Sequence, residues 1–343
     1  MKPLLCLLAV LVLPTAAVQA QGLDPNNYGT LSVYFENDLF GDTDENYTNG
    51  ARISWTSPAL RKFGDDPTIG EMAGYFDDMP WTGNSDYERN VAISLGQSMY
   101  TPSDTRNPNL VKDQRPYAGW LYVGMGLIWK NEKVKNTLVL NVGVVGPWSF
   151  AEETQRLVHE ARGLNSPQGW NNQIRNEIGV NASYERMWRI RDRRDHHGID
   201  WDILPYAGVT LGNVMTHANV GTEIRLGYNL PDDFGTGAIG DASTTPTALE
   251  NPFIAKTWEN RFGFHFFVRG EGRAVARNIF LDGNTFRDSH SVDKYPFVGD
   301  LSAGIAFNWK NTKISYAYIY RTKEFRGQED EQVFGSITVS INF

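Results

Sequence analysis

The 343-residue chain holds one cysteine, Cys6. It lies inside the short apolar run 4–13, which Lys2 precedes and Val18-Gln19-Ala20 follows. A positive start, a short apolar core and a small-x-small end mark residues 1–20 as a secretory signal peptide. Its removal leaves residues 21–343 as one domain with no disulfide, no thiol nucleophile and no cysteine for a structural zinc site. No second long apolar run follows, which excludes a transmembrane helix. Charge is also sparse. Only 21% of residues are charged and the net charge is −8, a balance that argues against a nucleic-acid partner. Six histidines are present, and none pairs with another at zincin spacing. There is no G-x-S-x-G elbow to carry a nucleophilic serine.

Aromatics, by contrast, reach 13%, beside 33 glycines. Mean hydropathy is −0.41, which on hydropathy alone resembles a soluble protein. The pattern says otherwise. In the last eleven residues Val333, Ile337, Val339, Ile341 and Phe343 fall on one face and Ser336, Thr338, Ser340 and Asn342 on the other. Apolar-out, polar-in alternation with aromatic girdles is the signature of an outer-membrane β-barrel. Such segments recur at 29–36, 50–57, 90–99, 119–130, 136–145, 176–190, 201–212, 215–228, 260–270, 297–309, 312–321 and 333–343. These predict an all-β, antiparallel transmembrane barrel of about twelve strands. Both termini are then periplasmic, and the connections 37–49, 100–118, 146–175, 213–214, 271–296 and 322–332 face outward. Connections 58–89 and 229–259 are long for periplasmic turns, so either they are insertions or the strand count fails there.

The first three outward connections carry the candidate chemistry. ENDLFGDTDENYTNG holds Glu36, Asp38, Asp42, Asp44 and Glu45 with Asn37, Asn46 and Asn49. Hard oxygen donors at this density suit calcium, and equally describe a solvated acidic loop, since the order is not that of an EF-hand. The second connection carries Arg106, Lys112 and Arg115, cations placed either to meet phosphates or, for Arg115, to pair with an acid inside the barrel. The third interrupts the wall. Strand pattern stops at Gly146-Pro147, a short helix is expected near 149–162, and an amide-rich loop, SPQGWNNQ, follows. The helix carries His159, with Gln155 four residues before it on the same face. Histidine suits a general base at neutral pH. The other histidines offer less: His196 and His197 sit in a charged turn, His217 and His290 lack a chemical neighbour in sequence, and His265 alternates with phenylalanines as a lumen residue. Trp148 and Trp170 either sit in an interfacial belt, the favoured reading, or line a lipid pocket.

Taken in order, ENDLF, TDENYTNG, GQSMYTPSD, QRPYAGWLY, VGVVGP with Gln155 and His159, SPQGWNNQ and TKEFRGQED resemble the outer-membrane lipid A 3′-O-deacylase family over about residues 30–343. The resemblance implies a twelve-stranded barrel that hydrolyses the 3′-linked acyloxyacyl ester of lipid A with calcium, in the bacterial outer membrane, on lipopolysaccharide as substrate. It implies that His159 is the general base activating water. It makes Asn37 and Asp38 the residues that bind calcium or shape the oxyanion site, with Thr48 lining that pocket and Gln155 orienting the helix face beside His159. A helix against the inner wall would present His159 to the ester while the acyl chains stay in lipid. The chain departs from the family pattern at Asn165, where a glutamate is usual, at Arg106, a rough counterpart of a lysine, and in the longer segment 58–89. Two other readings remain. An outer-membrane phospholipase A should show a serine shortly after the histidine, and Glu160, Ala161 and Arg162 follow instead. A passive porin-like barrel leaves the helix without a purpose.

Overall fold

The structure is a computed structural model and describes residues 29–38, 46–82, 86–190, 198–236, 239 and 262–343. Twelve antiparallel strands close into one barrel, each paired with its neighbour in sequence and β1 with β12. They are β1 (Thr30–Asn37), β2 (Asn46–Thr56), β3 (Glu88–Thr101), β4 (Ala118–Lys130), β5 (Val134–Val145) and β6 (Glu177–Trp188). The second half is β7 (Ile199–Gly212), β8 (Met215–Tyr228), β9 (Phe262–Asn278), β10 (Phe297–Trp309), β11 (Thr312–Arg321) and β12 (Gln332–Asn342). The alternation in the sequence therefore locates every strand, with one marked difference. β9 runs eight residues past its expected end, through the polar stretch GRAVARN. There the outward residues are the small Gly272, Ala274 and Ala276, and Val275 breaks the polar inward series, so period 2 leaves little hydropathy signal. Among the described residues three short α-helices interrupt the connections: α1 (Gly70–Ala73), α2 (Ala151–Arg162) and α3 (Ile279–Asp282). The leader 1–20, the acids Asp42, Asp44 and Glu45, and His196 and His197 lie outside the described residues.

Of the two long connections expected at the periplasmic end, the first, in its described residues 57–82 and 86–87, folds as a small lobe on the wall, and the described residues of the second enter the barrel. From Tyr228, at the periplasmic end, the chain turns inward and Asp233 meets Arg225, which is itself held by Asp202 at 2.6 Å. Lys313 Nζ reaches Asp233 at 2.6 Å from β11. Phe234 lies under Arg189 at 4.4 Å. Thr236 Oγ1 sits 3.0 Å from His265 Nε2, which places His265 in the lumen as its alternation predicts. Ile239 N donates to Glu36 Oε1 at 2.6 Å, near the outer end of β1. The segment thus climbs most of the lumen, leaving a cavity of about 160 Å³ lined by residues such as Tyr100, Trp120 and Arg321.

The anchor is a buried ion cluster, and removing one member of such a cluster leaves the others uncompensated. Asp233→Ala is expected to destabilise the barrel by about 3 kcal/mol, read as a lower midpoint of heat-modifiable migration. A wild-type midpoint would mean that the segment is not held by these charges.

A candidate active site on the outer face of the barrel

Strand pleating decides which side of the wall each residue takes. On β4, Trp120 and Tyr122 line the lumen, so Tyr117, Gly119 and Leu121 face outward. The outward series on β3 is Val91, Ile93, Leu95, Gln97, Met99 and Thr101. Asn37 pairs with Asn49, and Asn49 with Met99, which puts Asn37 on the same outer face. A β-bulge between Tyr47 and Asn49 adds Thr48 to it. Thr48 Oγ1 lies 2.8 Å from Thr101 Oγ1, and Asn37 Nδ2 donates to the Thr48 carbonyl at 2.9 Å. Asn37, Asp38 and Thr48 are all buried.

α2 lies on this face. Gly146, at φ +82°, stops β5, and Pro147 opens a single 3-10 turn that leads to the helix. Ala151, Gln155 and His159 recur at i, i+4 and i+8 and form the buried stripe. Glu152 and Glu153 at its first turn and Arg162 at its last match the helix dipole. The seat is close. A Cβ on Gly119 would lie 2.1 Å from Ser149 Oγ and 2.3 Å from Ala151 Cβ, so only glycine admits the helix. Gln97 Nε2 donates to the Ser149 carbonyl at 2.6 Å, and Met99, Tyr117, Ala151 and Trp170 pack together. The expectation of a helix against the inner wall is therefore overturned: α2 packs on the outer wall. The lumen is already occupied by segment 229–239, and Gly119 supplies the gap outside.

His159 is buried at the wall side of α2. Its Nδ1 lies 2.8 Å from the Asn165 carbonyl. A carbonyl only accepts, so Nδ1 carries a proton and donates to it. The turn that ends the helix sets this contact. Gly163 is left-handed at φ +69°, Leu164 N returns to the His159 carbonyl at 2.9 Å, and Asn165 follows. The backbone carbonyl of Asn165 orients the histidine. Gln155 Oε1 accepts from Trp170 Nε1 at 2.8 Å. Trp170 stacks obliquely on Tyr117 at 4.9 Å and is 2% exposed. It is a core residue of the site, and its expected place in an interfacial belt is a second correction. Trp148, 59% exposed, does face outward.

The rim loops brace one another. Gln168 N bonds the Thr105 carbonyl at 2.9 Å, and Asn172 Nδ2 the Pro108 carbonyl at 2.9 Å. His290, without a neighbour in sequence, meets the Gln114 carbonyl at 2.8 Å. Arg115 pairs with Glu324 at 3.1 Å and lies over Tyr100, which settles it as a structural cation. Burial pushes the Glu324 carboxyl up, but Arg115 and Arg321 outweigh it and hold it below the ordinary glutamate range. Arg106 and Lys112 are exposed.

Sequence reading brought forward His159, Gln155, Asn37, Asp38 and Thr48; the structure places Asn37, Thr48, Gln155 and His159 on one outer face of β1 to β4, and Asp38, buried, directly follows Asn37. It missed Gln97, Thr101, Tyr117 and Trp170. A signal existed: the outward series on β3 turns polar at Gln97 and Thr101, which lipid contact does not explain.

The family profile described as "Outer membrane protein LpxR" matches residues 4–343. Among solved structures, LpxR from Salmonella typhimurium superposes with a TM-score of 0.71 at 20% identity, covering 92% of this chain and 100% of that one. The β-domain of the Bordetella autotransporter BrkA aligns at 8% identity and a TM-score of 0.41, covering 92% of this chain and 98% of its own. No curated protein matches. With its motifs, its closed twelve-stranded barrel and a match over nearly its whole length, this chain belongs to the LpxR family of outer membrane proteins, the lipid A 3′-O-deacylase family that its motifs resemble.

Proposed function

We propose that the protein removes the 3′-linked acyloxyacyl chain of lipid A by hydrolysis, with His159 as general base. The observation that carries this reading is the contact of His159 Nδ1 with the Asn165 carbonyl. With Nδ1–H given to the Asn165 carbonyl, Nε2 can take a proton from water. The water oxygen then attacks the ester carbonyl carbon, and the tetrahedral intermediate collapses by breaking the bond to the 3′ oxygen. The imidazolium returns its proton to that oxygen, releasing the sugar hydroxyl and a fatty acid. No serine is needed, in keeping with the missing elbow. The site's position also suits the substrate. Trp148, Phe150 and Leu157, 59%, 59% and 67% exposed, project from the outer side of α2 and its lead-in, where the barrel meets lipid. An outer-leaflet ester would reach His159 without leaving the membrane plane. A lumen filled by 229–239 favours this over a pore.

Asp38 and Asn37 would hold calcium. Among the described residues no three acidic or histidine groups converge, so a buried aspartate would be joined by neutral oxygens such as those of Asn37 and by water. Such all-oxygen, low-charge donor sets fit calcium in kind. Bound there, the ion would supply positive charge to the developing oxyanion. Chelation by EGTA, or Asp38→Ala, is expected to slow hydrolysis by about 10²-fold or more. Added calcium should restore the chelated enzyme only. Full rate under EGTA would remove calcium from the mechanism.

The decisive experiment is mass spectrometry of purified lipid A incubated with the detergent-solubilised protein and calcium. Loss of a 3′ acyloxyacyl group is expected. Fatty acid released from phospholipid, with lipid A intact, would move the assignment to a phospholipase. Large steady currents in planar bilayers, with neither lipid cleaved, would support a pore.

A further inference from the structure

The β2–β3 connection, 57–87, is a built element. Asp77 accepts from Phe63 N at 2.7 Å and Gly64 N at 2.9 Å. Arg89, on the outer face of β3, donates to the carbonyls of Arg61 at 2.7 Å and Tyr87 at 2.9 Å. Gly70 sits where a Cβ would lie 2.5 Å from the Gly64 carbonyl oxygen. The lobe packs on the outside of the barrel. Phe63, fully buried, meets Trp129 edge-on at 6.4 Å, within a cluster that includes Val91 and Leu127.

That position has a consequence at the periplasmic rim. Elsewhere the rim carries outward aromatics: Trp188, Trp201, Tyr228, Phe262 and Trp309, each between 38% and 62% exposed. They are close in register, with Trp309 opposite Phe262 and Tyr228 opposite Phe264. On β4 the equivalent residue is Trp129, and the lobe reduces it to 2% exposure. The lobe thus interrupts the girdle and then re-presents one. Ile69, Ala73 and Phe76 turn to the wall, while Met72, Tyr75 and Trp81 are 52%, 80% and 58% exposed. Tyrosine and tryptophan are the residues that settle at headgroup level, apolar body in and polar tip to water.

We propose that this lobe is seated in the periplasmic leaflet of the outer membrane, with Tyr75 and Trp81 among phospholipid headgroups and Met72 toward the acyl boundary. Its occupant is lipid because the lobe takes the place of the girdle residue on β4 and stands on wall that would otherwise face lipid. The barrel thereby holds both leaflets with elements laid on its outer face: α2 at the outer rim, this lobe at the inner.

The mature chain has no cysteine, so Tyr75→Cys or Trp81→Cys creates a single thiol for a nitroxide. The labelled full-length barrel would be placed in phosphatidylethanolamine–phosphatidylglycerol vesicles and its collisions with oxygen and with a nickel chelate, present on both sides, compared. Val123→Cys on the bare wall and Asn109→Cys at the exposed rim give the lipid and water limits. The lobe positions are expected between these limits, with oxygen collisions raised over those of the rim label. A ratio equal to that of Asn109→Cys would overturn the proposal, and so would protection from both reagents, which would indicate a protein contact. Should a cysteine variant fail to fold, Trp81→Phe keeps the ring. It is expected to lower the share of tryptophan emission quenched by brominated phospholipid, and an unchanged share would sink the idea.

Discussion

His159→Ala is expected to lower ester release from lipid A by about 10²–10⁴-fold, the range a general base contributes, while the barrel still folds and migrates as a heat-modifiable band. The structural case is local. His159 is buried at the wall side of α2, and its Nδ1 meets the Asn165 carbonyl. Its loss removes a proton acceptor and leaves the strand ladder untouched. His159→Gln is a stringent companion, since glutamine can still donate to the Asn165 carbonyl but cannot take a proton from water at neutral pH. It should be as inactive as the alanine variant. Recovery of activity in His159→Gln would mean that the residue positions the helix and that another group is the base.

Gly119→Val should be nearly as damaging although it touches no substrate. Its Cβ would fall within 2.3 Å of both Ser149 Oγ and Ala151 Cβ. Ser149 cannot simply swing away, because its hydroxyl donates to the Gly146 carbonyl at 2.6 Å and its own carbonyl accepts from Gln97. Ala151 begins α2. The strand is fixed on both sides by its ladders, so the helix must lift. A displacement of roughly 1 Å at a catalytic group can cost about 10²-fold in rate, and a loss of that size is expected with the melting midpoint little changed. Full activity in Gly119→Val would show that α2 need not sit on β4 to place His159.

Much of this protein is legible along the chain. Period-2 alternation is written in every strand because one face meets hydrocarbon and the other meets the polar lumen, two solvents that select opposite side chains. The interrupting helix is marked by Gly146-Pro147 and by the i, i+4 spacing of Gln155 and His159. The motif order identifies the family. β9 shows the limit: past Gly270 the outward residues shrink to glycine and alanine, and the alternation fades while the strand continues.

The sequence by itself determined the barrel, its strand count and the identity of His159, Gln155, Asn37, Asp38 and Thr48 as site candidates. Only the tertiary structure decided on which side of the wall they meet. A strand's pattern names two faces, but a connection can fold over either, and the choice rests on long-range fit. Gly119 opens a seat outside, while Asp233, Thr236 and Ile239 bind Arg225, Glu223 and Glu36 and fill the inside. Trp170 went inward for the same kind of reason. Its indole finds Gln155, fifteen residues away, and a buried donor with a partner outweighs the preference of tryptophan for an interface.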